Sequence, residues 1–273
     1  MNARPTHPAA PVHLVVGAGS GIGAAVAREG AAGGARIALA GRRADPLRRL
    51  AEECGGTAHP ADATSPAEVR QLVEDVLAAH GRLDGLVACA GVMRAAPLRE
   101  LTDEDWESSL ATNLTSVFLL ARAALPALED TGGAMVTVGS VAGLRAAPGS
   151  AAYAASKAGA HMLTTVVAAE AGPRGVRANT VVPGWTRSEM ADAEMAAFGA
   201  PSGLSTEDAY REATALVPQR RPAAPEEVAR AVLWLLGPGA SYVNGAALTV
   251  DGGTSTVDPG YVPLDYRLEP RTG

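Results

Sequence analysis

A tyrosine and a lysine, Tyr153 and Lys157, lie four residues apart in an alanine-rich segment. If this segment is helical, the two side chains share one face, so the phenol and the ammonium project into the same space. A phenol ordinarily titrates near ~10, and a fixed positive charge beside it favours the phenolate. We therefore expect Lys157 to lower the pKa of Tyr153, and the pair could exchange a proton with an alcohol oxygen. The alternative is two ordinary surface residues.

The elements that must position this pair alternate between strand and helix along the whole chain. Short apolar runs bounded by turn residues are typical of buried strands in a parallel sheet. Alternation of such runs with helical patterns predicts an α/β fold, a doubly wound, Rossmann-type parallel sheet with helices on both faces. Strands are predicted at 12–16, 35–40, 86–90, 134–138, 176–182 and 247–250. Helices are predicted at 22–32, 65–80 and 151–171. Another helix is predicted to begin at 102, and the last long helix is predicted to begin at 225 and to be ended by Gly237.

A glycine-rich loop follows the first predicted strand and opens the first helix. Its pattern is Gly17-x-x-x-Gly21-x-Gly23, with Ser20 and Ile22 between the glycines. Glycines at this place permit a tight turn and let backbone amides approach a pyrophosphate at the positive end of the helix. The loop therefore predicts a dinucleotide site.

The end of the second predicted strand bears on the choice of cofactor. An acid is expected there when the ribose 2′-hydroxyl is free, but this strand is followed by Arg42 and Arg43, with no acid before Asp45. A guanidinium suits a 2′-phosphate through charge-assisted hydrogen bonds. We therefore expect NADP(H) as the preferred cofactor and NAD(H) as the alternative. The other interpretation of the arginines is a solvated basic helix start.

Together these motifs resemble the short-chain dehydrogenase/reductase family over about residues 12–253. The resemblance implies a proton relay in which Tyr153 gives a proton to the substrate oxygen and Ser140 hydrogen-bonds that oxygen. Lys157 would hold the ribose hydroxyls, and Asn113 would position a water. The implied catalytic residues are Asn113, Ser140, Tyr153 and Lys157.

The same resemblance, added to the glycine loop and the arginines, implies a set of cofactor contacts. Pro183-Gly184 would lie beside the nicotinamide and Ser188 near its carboxamide. Asp62 is expected to end the strand that comes next after 35–40, where it could accept a hydrogen bond from the adenine amino group or serve as a turn or cap residue. The expected cofactor-binding residues are Gly17, Ser20, Gly21, Ile22, Gly23, Arg42, Arg43, Asp62, Ala63, Ala90, Gly91, Tyr153, Lys157, Pro183, Gly184, Thr186 and Ser188.

The chain departs from the family pattern at three places. Val16 stands where a threonine usually precedes the glycine loop, and Ala-Cys89-Ala-Gly replaces the usual Asn-Asn-Ala-Gly. Cys89 is then a small buried residue rather than a nucleophile. Ser20 occupies the position at which many NADP-preferring members carry a base.

The substrate pocket is less clearly marked. Residues 185–218, the lid segment, are expected to cover the nicotinamide. Apolar side chains there would bind a medium-sized apolar or cyclic ketone or secondary alcohol, or would simply seat the lid helices on the body. The candidates are Trp185, Met190, Met195 and Phe198 on the lid, with Met93 and Leu144 opposite.

Composition bounds the remaining expectations. A chain of 273 residues with net charge −6 predicts one domain and disfavours nucleic acid as a partner. Residues 1–11 and 254–273 are expected to be tails, and we expect no metal site, no membrane span and a homo-oligomer, either a dimer or a tetramer. Two cysteines without metal-ligand spacing indicate the reducing cytoplasm. Competing hypotheses are a catalytically silent NADP(H)-binding sensor and an epimerase or dehydratase on the same fold.

Overall fold

The structure is a computed structural model that describes residues 10–258. Across this range the chain forms a seven-stranded parallel sheet in the order β3-β2-β1-β4-β5-β6-β7. The predicted doubly wound parallel sheet is therefore confirmed, whereas most of both predicted tails lies outside the described residues. The strands are β1 (Val12–Val16), β2 (Arg36–Gly41), β3 (Thr57–Pro60), β4 (Gly85–Ala88), β5 (Ala134–Val138), β6 (Arg177–Pro183) and β7 (Ala247–Val250).

Helices cover both faces of the sheet. Helix α3 (Pro66–His80) has the predicted bounds, because the sequence supplies both an N-cap and a C-terminal glycine. Ser65 Oγ accepts a hydrogen bond from the backbone N–H of Glu68 at the start of this helix, and Gly81, with φ +76°, ends it. The helices are α1 (Gly21–Ala32), α2 (Ala44–Cys54), α3 (Pro66–His80), α4 (Asp103–Leu110), α5 (Ser116–Thr131), α6 (Ala151–Ala171), α7 (Glu189–Gly199), α8 (Thr206–Ala213) and α9 (Pro225–Leu236).

Strand β4 is shorter than predicted. It was expected to run to residue 90 but ends at Ala88. The backbone N–H of Cys89 still donates to Val16 O over 2.9 Å, and the chain then leaves the ladder. Ala90 and Gly91 consequently line the open edge of the sheet rather than its interior.

Two apolar layers hold the sheet between the helices. Alternate residues of a strand face opposite sides, so Leu14 and Leu86 pack towards α3 and α5, whereas Val15 and Val136 pack towards α1 and α9. Each fully buried aliphatic side chain of this kind contributes about 1.5–3 kcal/mol relative to exposure. These layers fix the carboxyl ends of the strands at one edge.

The helical stretch Asp103–Thr131, which contains α4 and α5, is long and apolar enough to cross a membrane by length and composition alone. The sequence was expected to contain no such span. Leu120, Ala124 and Leu128 of this stretch are buried in the layer beneath the sheet. That packing is the behaviour of a core helix.

His13 on β1 makes stability depend on pH. Burial lowers the pKa of its imidazole to about 4, against the opposing effect of Asp84, and Nδ1 is buried without a hydrogen-bond partner in the described part of the chain. The unfolded chain takes up a proton near pH ~6.5 but the folded chain does not, so stability is lost as the pH falls from there towards 4. We expect the free energy of unfolding to fall by about 2 kcal/mol between pH 7 and pH 5 on this account.

Urea denaturation at the two pH values measures this loss. His13→Leu should remove most of it, whatever its effect on stability at pH 7. An equal loss in the wild type and in His13→Leu would assign the pH dependence to other groups.

Candidate active site

A cleft of about 1000 Å³ opens at the carboxyl edge of the sheet. It lies where the strand order reverses between β1 and β4, the usual ligand position in an open α/β sheet. The loops after β1, β2, β4, β5 and β6 all contribute to its lining. This volume is at the upper end of the range of small-molecule sites.

The glycine loop after β1 is shaped by close backbone contacts. Gly17 has φ +86°, and a Cβ at this position would lie 2.5 Å from the backbone nitrogen of Ala90. A Cβ on Gly23 would lie 2.3 Å from Gly17 O. The turn therefore requires glycine at both positions, and it directs the start of α1 into the cleft.

Tyr153 and Lys157 project from the first turns of α6 into the same cleft, as predicted. Lys157 Nζ lies 5.7 Å from the centre of the Tyr153 ring and donates to Val138 O over 2.9 Å. Ser140, two residues after the end of β5, hydrogen-bonds the Tyr153 side chain. The structure thus brings together the hydroxyl, the phenol and the ammonium that the sequence predicted.

The pKa of Tyr153 does not move in the predicted direction. Burial raises it to about 12, the Ser140 hydrogen bond opposes this, and the negative charge of Glu194 raises it further. Burial also lowers the pKa of Lys157 to about 8. The expectation that Lys157 lowers the phenol pKa was therefore wrong, because desolvation disfavours the charged forms of both groups. Tyr153 is a neutral phenol at neutral pH.

Cys89 lines the cleft beside this pair. Burial raises the pKa of its thiol to about 11, so it stays protonated at neutral pH. This supports the prediction that it is not a nucleophile.

Asn113 lies behind the cleft in a π-helical turn, Ala111–Thr115, and is almost fully buried. Its Oδ1 accepts from the N–H of Val92, and its Nδ2 donates to Val92 O and to Ser156 Oγ. The side chain thus ties the loop after β4 to the helix that carries the tyrosine and lysine. Sequence reasoning missed Ser156, whose side chain faces the π-helical turn from α6.

Arg43 reaches across the glycine loop. One guanidinium nitrogen donates to Ser20 Oγ over 3.3 Å and to Glu189 Oε2 over 2.9 Å. Arg42 lines the cleft close to Asp62, whose pKa its charge helps to lower. The guanidinium of Arg43 therefore lies beside Ser20, a position that carries no base in the sequence.

Asp62 acts as a turn residue in the structure. Its Oδ1 accepts from the backbone N–H and the hydroxyl of Thr64, and these hydrogen bonds lower its pKa. Oδ2 is the oxygen left to accept from an adenine amino group. Both sequence interpretations of this residue are thus compatible with its geometry.

Most predicted site residues line the cleft. Gly23 and Asn113 do not: Gly23 packs beneath the loop and Asn113 lies behind it. Ser188 lines the cleft, but its hydroxyl also caps α7 by accepting from the N–H of Ala191. The predicted residues in the lining are Gly17, Ser20, Gly21, Ile22, Arg42, Arg43, Asp62, Ala63, Ala90, Gly91, Ser140, Tyr153, Lys157, Pro183, Gly184, Thr186 and Ser188.

The predicted apolar wall is only partly present. Trp185, Met190 and Met93 line the cleft. Met195 instead packs against Tyr210 beneath the lid segment, and Phe198 is half exposed. Leu144 is 40% exposed and lies outside the lining.

Helix periodicity explains this division and reveals a residue that the sequence reasoning missed. The residue that shares the Met190 face on α7 is not Met195 but Glu194, one turn later. Glu194 lines the cleft, and burial raises its pKa. The i, i+4 spacing from Met190 was the signal that could have found it.

The chain belongs to the short-chain dehydrogenase/reductase family of NAD(P)-dependent oxidoreductases, which act on CH–OH and C=O groups. A family model described as Enoyl-(Acyl carrier protein) reductase matches residues 17–255. The fold and the cleft described above agree with this assignment.

Relatives of this chain include both dehydrogenases and reductases. D-threitol dehydrogenase of Mycolicibacterium smegmatis is 42% identical over 248 residues, covering 89% of this chain and 92% of the relative. Protein MoaE of Klebsiella aerogenes is 40% identical over 250 residues, covering 90% of this chain and 96% of the relative. The crystal structure of levodione reductase matches this chain with a TM-score of 0.86 and 30% sequence identity. The crystal structure of an actinorhodin polyketide ketoreductase with NADPH matches with a TM-score of 0.86 and 34% sequence identity. Each structure covers 91% of this chain, and 98% of each is covered.

Proposed function

We propose that this protein transfers a hydride between NADP(H) and a ketone or secondary alcohol of medium size. The observation that carries the proposal is the convergence of Ser140, Tyr153 and Lys157 on one cleft beside the glycine loop. The nicotinamide, when bound, supplies or accepts the hydride. A catalytically silent sensor would have no need of the phenol and ammonium that this chain retains.

Each residue then has a role in handling the proton. In reduction, Tyr153 gives its proton to the carbonyl oxygen, and its raised pKa keeps that proton in place at neutral pH. Ser140 donates a hydrogen bond to the same oxygen. Lys157 holds the ribose hydroxyls, and the backbone carbonyl of Asn113 is the better group to hold a relay water, because its side chain is committed to Val92 and Ser156.

NADP(H) is proposed over NAD(H) because two guanidinium groups border the adenosine end of the cleft. Arg42 follows β2, and Arg43 lies against Ser20. A 34% identical neighbour is a polyketide ketoreductase whose structure contains NADPH. The names of relatives do not select a substrate, since they range from a sugar alcohol to a polyketide.

Turnover is tested by following NADPH oxidation with a panel of cyclic and aryl ketones, and NADP⁺ reduction with the matching alcohols. Turnover dependent on NADPH supports the proposal. Tight NADPH binding without turnover across the whole panel would instead favour the silent sensor.

Replacing both Arg42 and Arg43 by alanine tests the cofactor preference. Loss of charge-assisted hydrogen bonds is expected to raise the Kd for NADPH about 10–100-fold while changing the Kd for NADH little. Fluorescence titration of each cofactor measures this. Arg48→Ala is the matched control, because Arg48 is exposed on α2 and pairs with Asp45. A similar rise in both Kd values would contradict a 2′-phosphate site.

We also propose a homo-oligomer in the cytoplasm. Apolar side chains remain exposed on α5 and α6, among them Phe118, Met162 and Val166. Sedimentation equilibrium measures the association, and charged substitutions at Met162 and Val166 should weaken it. Cys54 and Cys89 are free thiols, which supports the choice of compartment.

A further inference from the structure

Glu194 places a carboxylate in the wall of the cleft, on the first helix of the lid segment. Met190, Ala191 and Glu194 all line the cleft, and their spacing puts them on one face of α7. The negative charge of Glu194 contributes to the raised pKa of Tyr153, so this carboxylate is close to the reacting end of the cleft rather than to its adenosine end.

The orientation of α7 is fixed by contacts on its other faces. The Tyr210 hydroxyl donates to Asp192 Oδ1 over 2.8 Å, and Met195 is buried against the same tyrosine. At the start of the helix, Glu189 accepts from Arg43. These contacts hold the Met190–Glu194 face towards the cleft.

The Glu194 carboxylate is not used by the fold. Among residues 10–258 it accepts no side-chain or backbone hydrogen bond and joins no ion pair, and burial alone is the cause of its raised pKa. Glu194 is partly buried, and a purely apolar substrate would remove the remaining water from its carboxylate, which is costly for a polar group without a partner. A hydrogen-bond donor on the substrate would supply the partner that the Glu194 carboxylate lacks.

We propose that Glu194 is a specificity-determining residue that accepts a hydrogen bond from a second hydroxyl of the substrate, so that the enzyme prefers a hydroxyketone or diol. This inference rests on the proposed function. A hydroxyl suits the site better than an ammonium, because four cationic side chains already line the same cleft: Arg42, Arg43, Arg145 and Lys157. The apolar side chains of Met190 and Trp185 would contact the carbon skeleton between the two oxygens.

Three alcohols of one skeleton test the inference with NADP⁺: cyclohexane-1,2-diol, cyclohexanol and 2-aminocyclohexanol. The wild type is expected to prefer the diol. Glu194→Ala should lower kcat/KM for the diol about 10–100-fold, mainly through KM, with cyclohexanol unchanged or improved. Glu194→Gln should keep most of the diol preference, because its amide oxygen still accepts a hydrogen bond. Glu212→Ala is the matched control, because it deletes an exposed carboxylate on α8.

Three results would overturn the inference. The first is that Glu194→Ala loses kcat/KM equally for the diol and for cyclohexanol. The second is a wild type that turns over ketones or alcohols but does not prefer the diol. The third is a preference for the amino alcohol that Glu194→Gln abolishes. All three leave the proposed function intact. Absence of NADP(H)-linked turnover with every ketone and alcohol would instead overturn the proposed function, and the inference with it.

Discussion

Replacing Tyr153 by phenylalanine is expected to lower kcat by at least about 10³-fold while leaving the Kd for NADPH within about threefold. The substitution removes only the hydroxyl that exchanges the proton. The ring, which packs beside Lys157, is retained. Stopped-flow or steady-state turnover gives kcat, and fluorescence titration gives the Kd.

Tyr242→Phe is the matched control, because Tyr242 is fully exposed and the same atom is removed there. Its kcat should equal that of the wild type. Retained turnover in Tyr153→Phe would remove the phenol from the acid/base role.

The pH dependence of the wild type provides a second readout of the same phenol. A pKa raised to about 12 keeps Tyr153 protonated, which is the form that reduction needs. Oxidation needs the phenolate, so its rate should rise as the pH increases above neutrality. Tyr153→Phe should abolish that rise in any residual activity.

Gly17→Ala is expected to destabilise the protein by about 3 kcal/mol or more and to abolish measurable NADPH binding. Gly17 has φ +86°, a conformation that costs an alanine about 1–2 kcal/mol. The added Cβ would also lie 2.5 Å from the backbone nitrogen of Ala90, which has no flexible side chain to move away. Relief of the clash would separate the two loops that form the floor of the cleft.

Gly34→Ala separates the two effects. Gly34 has φ +87°, but nothing lies within 4 Å of the position of its Cβ. The control should therefore cost only about 1–2 kcal/mol in urea denaturation and leave NADPH binding unchanged. If both variants behave alike, backbone strain rather than the contact with Ala90 explains the effect at Gly17.

Local signals in the sequence predicted the helix and the loop that carry the site. Helix α6 has the predicted bounds, 151–171, and carries Tyr153 and Lys157 on one face. Glycine spacing likewise predicted the loop after β1, because positive φ and close backbone approach are properties that only glycine tolerates.

Properties that depend on burial and on distant partners were not predictable in the same way. The direction of the Tyr153 pKa shift follows from desolvation, which the i, i+4 spacing does not report. The hydrogen bond between Arg43 and Glu189 joins residues 146 positions apart. Glu194 was missed because the apolar residues beside it were read as the pocket wall.

The central position of β1 in the sheet has a consequence for folding during synthesis. β1 pairs with β2 on one side and with β4 on the other, and the backbone N–H of Val12 donates to Asp84, 72 residues later. Long-range pairing of this kind is slow, and until residues 85–88 leave the ribosome one edge of β1 exposes unpaired amide and carbonyl groups. A nascent chain that stalls before Gly85 therefore presents an unpaired strand edge to other chains, which favours aggregation.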